Sequence, residues 1–135
     1  MSSARFDMSE VRALERHLAR SVPRTRQAAR AVTVRGAQNI KRDWAANARS
    51  TSGRHARHYP RSVSYDIAPY GPDIVMATIG PDKGRVQGAL GNLLEYGSAK
   101  NPPHNDGGRA LAVELPRFEA QLALAAERGL AWGLA

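Results

Sequence analysis

The sequence predicts an α+β fold. Apolar residues recur at helical spacing through the first third of the chain. They alternate at strand spacing across 62–79, and helical spacing returns toward the C-terminus. Clusters of Gly, Pro, Ser and Asn separate these stretches. With 135 residues, the chain has the length of one domain. The expected organisation is an N-terminal helix or arm over 1–22, a main body over 23–128 and a tail over 129–135.

Asp7-Met8-Ser9-Glu10 reads as a helix start, an acid at the cap with Glu three residues on. Met8, Val11, Leu14 and Leu18 then share one helix face, which predicts a short helix over about 8–20. Pro23 lacks an N–H and suits the first turn of a new helix. A second, long helix is expected over about 23–48, with the stripe Ala28, Val32, Gly36, Ile40, Trp44 and Ala48. Its other faces carry Arg24, Arg26, Arg30, Arg35, Lys41, Arg42 and Arg49. Ser50-Thr51-Ser52-Gly53 ends it and opens a polar, basic loop, Arg54 to Arg61.

Ser62 to Ile67 alternates polar and apolar, and Ile74 to Ile79 follows the turn Pro69-Tyr70-Gly71-Pro72-Asp73. These predict a small antiparallel sheet, a hairpin over about 62–79. A two-stranded hairpin alone is marginal, so it needs a cover or another subunit's strand. A short helix is expected over about 87–95 on Leu90, Leu93 and Leu94, then a loop over 99–108. A C-terminal helix is expected over about 108–128 with the stripe Leu111, Leu115, Phe118, Leu122 and Ala126. Pro116 should kink or break it near Glu114, and Gly129 reads as its C-cap.

Charge is unevenly placed. Residues 1–61 hold 14 basic and 4 acidic side chains, and residues 62–135 hold 6 and 8. The formal total is +8, and 17 of the 20 basic residues are Arg. A coding bias toward Arg and Ala accounts for that ratio but leaves the clustering unexplained. Arg54, His55, Arg57, His58 and Arg61 of the loop, with Arg35 and Arg42 of the long helix, are the candidate contacts to DNA or to a charged partner. Tyr59 is interleaved among them. A merely solvating basic face is the competing reading. No sequence-specific DNA-binding motif is present, so nucleic-acid contact would be to the backbone.

Other chemistry finds little support. The chain has no cysteine, which removes disulfides, thiolate metal sites and a cysteine nucleophile. No apolar run reaches the ~18–20 residues of a membrane helix, and no export signal or membrane partner is expected. His55 and His58 stand three apart with no carboxylate within seven residues, so surface histidines are the cheaper reading. Gly80-Pro81-Asp82-Lys83-Gly84-Arg85 lacks the phosphate-loop spacing and reads as a hairpin exit. Ser62 and Ser64 near His58 are explained by strand alternation, and no nucleophile elbow exists. Glu95 and Asp106 would make a carboxylate pair, but nothing in the sequence brings them together. No enzyme and no cofactor is expected.

Leu90-Gly91-Asn92-Leu93-Leu94-Glu95-Tyr96-Gly97-Ser98 and the following Pro102-Pro103-His104 carry a resemblance. The chain resembles the minor tail-component family of long-tailed phages, the neck or tail-completion proteins that join head to tail. That family has an apolar helix running into Glu-aromatic-Gly-Thr/Ser, a loop with Pro and His, and a C-terminal helix. The resemblance covers about 25–127. It departs after His104, where the family has Pro-Phe and this chain has Asn105-Asp106-Gly107-Gly108.

The resemblance implies a structural virion protein of the neck or tail, present in the host cytoplasm during assembly. It implies a homo-oligomeric ring, six-fold or twelve-fold, that continues the DNA channel. Its partners would be neighbouring head-closure, connector and tail proteins, with transient contact to phage DNA. Leu93, Leu94, Glu95, Tyr96, Gly97, Pro102, Pro103 and His104 would form the docking surface. The alternative, from another class, is a small basic protein that binds nucleic acid without sequence preference.

Overall fold

Two long helices lie antiparallel, and a two-stranded sheet rests on the first of them. The computed structural model describes residues 8–69, 71 and 74–134, with side chains at 8, 18 and 131–134 left aside. Helix α1 spans Met8–Thr51, strand β1 Val63–Pro69, strand β2 Val75–Pro81, helix α2 Gly91–Tyr96 and helix α3 Asp106–Leu134. Short 3-10 turns occupy Arg54–Ala56, Tyr59–Ser62 and Gly88–Leu90. The α+β class is therefore observed, with the hairpin and the short helix within a few residues of their expected places.

The N-terminal helices are one helix. α1 runs through Pro23 without a break. Pro23 has no N–H to offer the Ala19 carbonyl, but both residues are exposed, so that carbonyl is open to solvent. Pro116 repeats the arrangement in α3: it and Ala112, whose carbonyl it orphans, are both exposed, and α3 is not broken there. A proline is tolerated in a helix on its wet side, where the lost bond is replaced by solvent. Gly129 does not cap α3, and the expected tail is helical as far as Leu134. Gly129 is buried against Thr25 of α1, where any side chain would collide with the threonine.

Contacts between α1 and α3 run from Trp44 with Gly107, through Gly36 with Phe118, to Thr25 with Gly129. The face of α3 that meets α1 carries Gly107, Ala110, Glu114, Ala125 and Gly129, all buried. The expected leucine stripe faces elsewhere: Leu111 is 49 % exposed, Leu115 46 % and Leu122 37 %. Small residues bring the two helix backbones close, and the leucines are left outside. On the first-helix face Leu14 is exposed and Val11 half-buried, and the side chains of Met8 and Leu18 lie outside the described residues. On α1 the predicted stripe is the packed one, with Gly36 and Ala48 buried and Ala28, Val32, Ile40 and Trp44 half-buried.

The sheet pairs Val63 with Pro81 through to Pro69 with Val75. Val63, Tyr65 and Ile67 share the inner face with Ile79 and Ala77, turned toward α1; Asp66, Met76 and Thr78 point outward. Both outer edges of this two-stranded sheet are open among the described residues. The largest core cluster is small. Ala48, Ala56 and Tyr59 are buried together, with Leu90 and Leu94 packed against them.

Candidate functional site

The stretch that carries the resemblance forms α2 and the loop that leads into α3. α2 ends at Gly97, whose φ of 78° turns the chain away and whose N–H bonds the Leu93 carbonyl at 2.9 Å. A side chain there would also strike Asn101 and Pro103, so glycine is required by both backbone and space. The loop then returns beside α2: the His104 N–H bonds the Leu94 carbonyl at 2.8 Å and the Asn105 N–H bonds the Glu95 carbonyl at 3.1 Å.

This return puts the Glu95 carboxylate over the first turn of α3. It accepts from the Gly107 N–H at 3.1 Å and the Gly108 N–H at 3.0 Å. Those N–H groups have no partner within the helix, and a negative charge there also suits the helix dipole. Asp106 is fully buried beside it and ties α3 to the end of α1. Its carboxylate accepts from the Thr51 hydroxyl at 2.9 Å and the Arg109 guanidinium at 2.8 Å. Asn47 donates to the Asp106 carbonyl at 3.0 Å. His104 Nδ1 lies 3.8 Å from Asp106, beyond hydrogen-bond reach.

Glu95 and Asp106 are therefore brought to one place, which the sequence alone did not indicate. Each carboxylate is held by structural donors: Glu95 caps the first turn of α3, and Asp106 ties that turn to Thr51 of α1. Tyr59 is enclosed in the same region and fully buried, and its hydroxyl accepts from Trp44 Nε1 at 3.3 Å. Burial raises its pKa above the ordinary 10.0; the Trp44 hydrogen bond pulls it back, and the charges of Glu95 and Asp106 push it up. Tyr59 thus belongs to the core and cannot stack on a base, contrary to its reading as an aromatic among basic contacts.

The expected docking residues divide. Leu93, Tyr96, Pro102 and Pro103 face solvent, Tyr96 at 77 % exposure. Glu95 is buried in the cap, Leu94 packs on the core, and Gly97 and His104 are half-buried in the loop. These four build the motif's shape and present little to a partner.

The basic candidates also divide. Arg54, His55 and Arg57 are exposed on the turns after α1. Gln87 pins that segment, accepting from the His58 N–H at 2.7 Å and donating to the His55 carbonyl at 2.7 Å. His58 Nε2 accepts from Arg57 at 3.2 Å. Among the described residues no group of three or more His, Asp or Glu is placed to hold a metal. Arg35 lies on another flank, beside Gly36 and Glu114. Arg42 and Arg61 are brought together in a groove of about 580 Å³ between α1 and the β1 edge. Lys41, Arg49 and Arg85 join them there.

The other flank of the sheet is apolar. Val75, Ala77 and Ile79 of β2 face Leu111, Leu115 and Phe118 of α3 across a cleft of about 300 Å³ floored by α1. The run Gly80 to Arg85 is a hairpin exit, as its spacing implied: Asp82 accepts from the Gly84 N–H at 2.9 Å and the Arg85 N–H at 3.0 Å. Among the described residues no helix is long and apolar enough to cross a membrane. No family model, no curated protein and no solved structure matches the chain.

Proposed function

We propose that this chain is a structural subunit of a tailed-phage neck or tail, assembling as a ring that connects head to tail and continues the DNA channel. One observation carries the assembly part of this reading. The chain exposes 9757 Å², whereas a compact monomer of 14.6 kDa exposes about 6,900 Å². The difference, about 2,900 Å², is surface available to neighbours, and obligate interfaces bury roughly 2,000–5,000 Å² counted over both partners. Some of the exposed apolar residues flank one open sheet edge: Leu111 and Leu115 on α3 and Met76 on β2. Such an edge is a template for pairing with another chain.

The phage part rests on the resemblance, and the geometry of the motif supports it. Where the family carries Pro-Phe after the His loop, this chain has Asn105-Asp106-Gly107-Gly108, and Gly107 is buried. The Trp44 ring occupies the space beside it, 2.6 Å from where a Cβ would stand. An aromatic anchor for the last helix is thus supplied from α1. Glu95 and Asp106, each held by structural donors, fit a protein that holds shape, with no catalysis proposed.

A phage carrying Leu111→Glu with Leu115→Glu tests this reading. Both positions are exposed in the single chain, so the purified variant should keep its helical circular dichroism. We expect separate heads and tails in the lysate and a titre loss of a hundredfold or more. Intact virions at normal titre would contradict the proposal.

A further inference from the structure

We propose that the groove between α1 and the β1 edge binds the phosphodiester backbone of duplex DNA. This deepens the reading of a subunit past which DNA moves, but it concerns one surface of the single chain and its test requires no ring. Five cations converge there from three parts of the chain: Lys41, Arg42 and Arg49 from α1, Arg61 from the turn before β1, and Arg85 from the hairpin exit. No carboxylate lines the groove among the described residues.

Two of the five are partly neutralised from outside it, Arg42 by Asp43 at 3.3 Å and Arg85 by Asp82 at 3.6 Å. Lys41, Arg49 and Arg61 have no carboxylate within 4.0 Å among the described residues. The groove is held in shape by contacts to uncharged partners. Gln38 donates to the Tyr65 hydroxyl at 3.2 Å, Lys41 lies 5.8 Å from the Tyr65 ring centroid, and Arg85 donates to the Arg61 carbonyl at 3.2 Å.

The dimensions suit a nucleic-acid backbone. Residues 41 to 49 advance about 12 Å along α1. One DNA strand carries a charge about every 3.4 Å along its axis, so three or four successive phosphates lie within that span. Guanidinium forks match phosphate oxygens. A protein partner would call for an apolar centre with charges at its rim, and here the charges are the centre. Arg54 and Arg57 lie outside the groove, so the contact is narrower than the whole basic half of the sequence.

The test is fluorescence anisotropy of the purified chain with a labelled 20-base-pair duplex over a salt series. Lys41→Ala, Arg49→Ala and Arg61→Ala are combined in one variant. A control variant combines Arg12→Ala, Arg54→Ala and Arg57→Ala, the same charge loss outside the groove. The groove variant should bind about tenfold or more weakly, and its slope of log affinity against log salt should be shallower by about 2.7, roughly 0.9 for each lost phosphate contact. The control should stay within about threefold of the parent.

Equal loss in both variants would make the charge diffuse and overturn the proposal, as would no duplex binding by the parent at low salt. Poly-L-glutamate binding more tightly than duplex, with the same loss in the groove variant, would assign the groove to an acidic protein and also overturn it. Failure here leaves the Leu111 and Leu115 assembly result untouched, so the two readings fall separately.

Discussion

Glu95 shows what a short motif does at the level of single atoms. It stands at the end of α2, yet its carboxylate satisfies the first N–H groups of α3. Glu95→Ala would leave the Gly107 and Gly108 donors without an acceptor. We expect a loss of about 2–4 kcal/mol in urea unfolding, and a smaller loss for Glu95→Gln, which keeps an acceptor but not its charge. A Glu95→Ala chain within about 0.5 kcal/mol of the parent would show that the cap contributes little.

The role of Glu95 was hidden in the sequence, because Glu95 and Gly107 are joined only through the loop that folds back between them. Asp106 was hidden for the same reason: its partner Thr51 lies on α1, 55 positions away. Tyr59 was misread because its neighbours Arg57, His58 and Arg61 are polar, and nothing local shows that its ring turns inward. Arg85 reaches the cationic groove only because the hairpin brings the exit turn back beside Arg61.

Helices and strands were more legible than their faces. The change from helical to alternating spacing marks the hairpin closely, and the breaker loop at 99–108 marks the start of α3. The prolines misled because sequence does not show whether a proline falls on the wet side of a helix. The α3 stripe misled for a different reason. Hydrophobicity selects Leu111, Leu115 and Leu122, but close helix approach selects Gly107, Ala110, Ala125 and Gly129. Within that small-residue face sits Glu114, buried, accepting from Asn39 at 3.1 Å and paired with Arg117 at 3.2 Å.

This contact fixes how α1 and α3 align along their length, since sliding either helix would bury the carboxylate without its amide donor. Asn39→Ala should therefore destabilise the chain by about 1–3 kcal/mol, measured by chemical unfolding. Pairing it with Glu114→Leu should recover most of the loss, because no buried acceptor then remains. A double variant as unstable as the single would mean that Asn39 acts through packing alone.

At the scale of the whole molecule, the two flanks of the sheet differ in chemistry. The β1 edge borders a cationic groove, and the β2 edge borders an apolar cleft. In the proposed assembly, one flank turns to a neighbour and the other to a polyanion. The uneven charge of the sequence fits that division, although only part of the basic half lines the groove. The small core and large exposed area fit a chain whose remaining burial comes from assembly.

We propose that the chain sits at the junction of a phage head and tail. The most direct measurement is electron microscopy of virions labelled with an antibody against the chain. Label confined to the head–tail junction on intact particles is expected, with a closed ring of density there in averaged images. Virions that carry no label, with the chain found only free in the lysate, would contradict it.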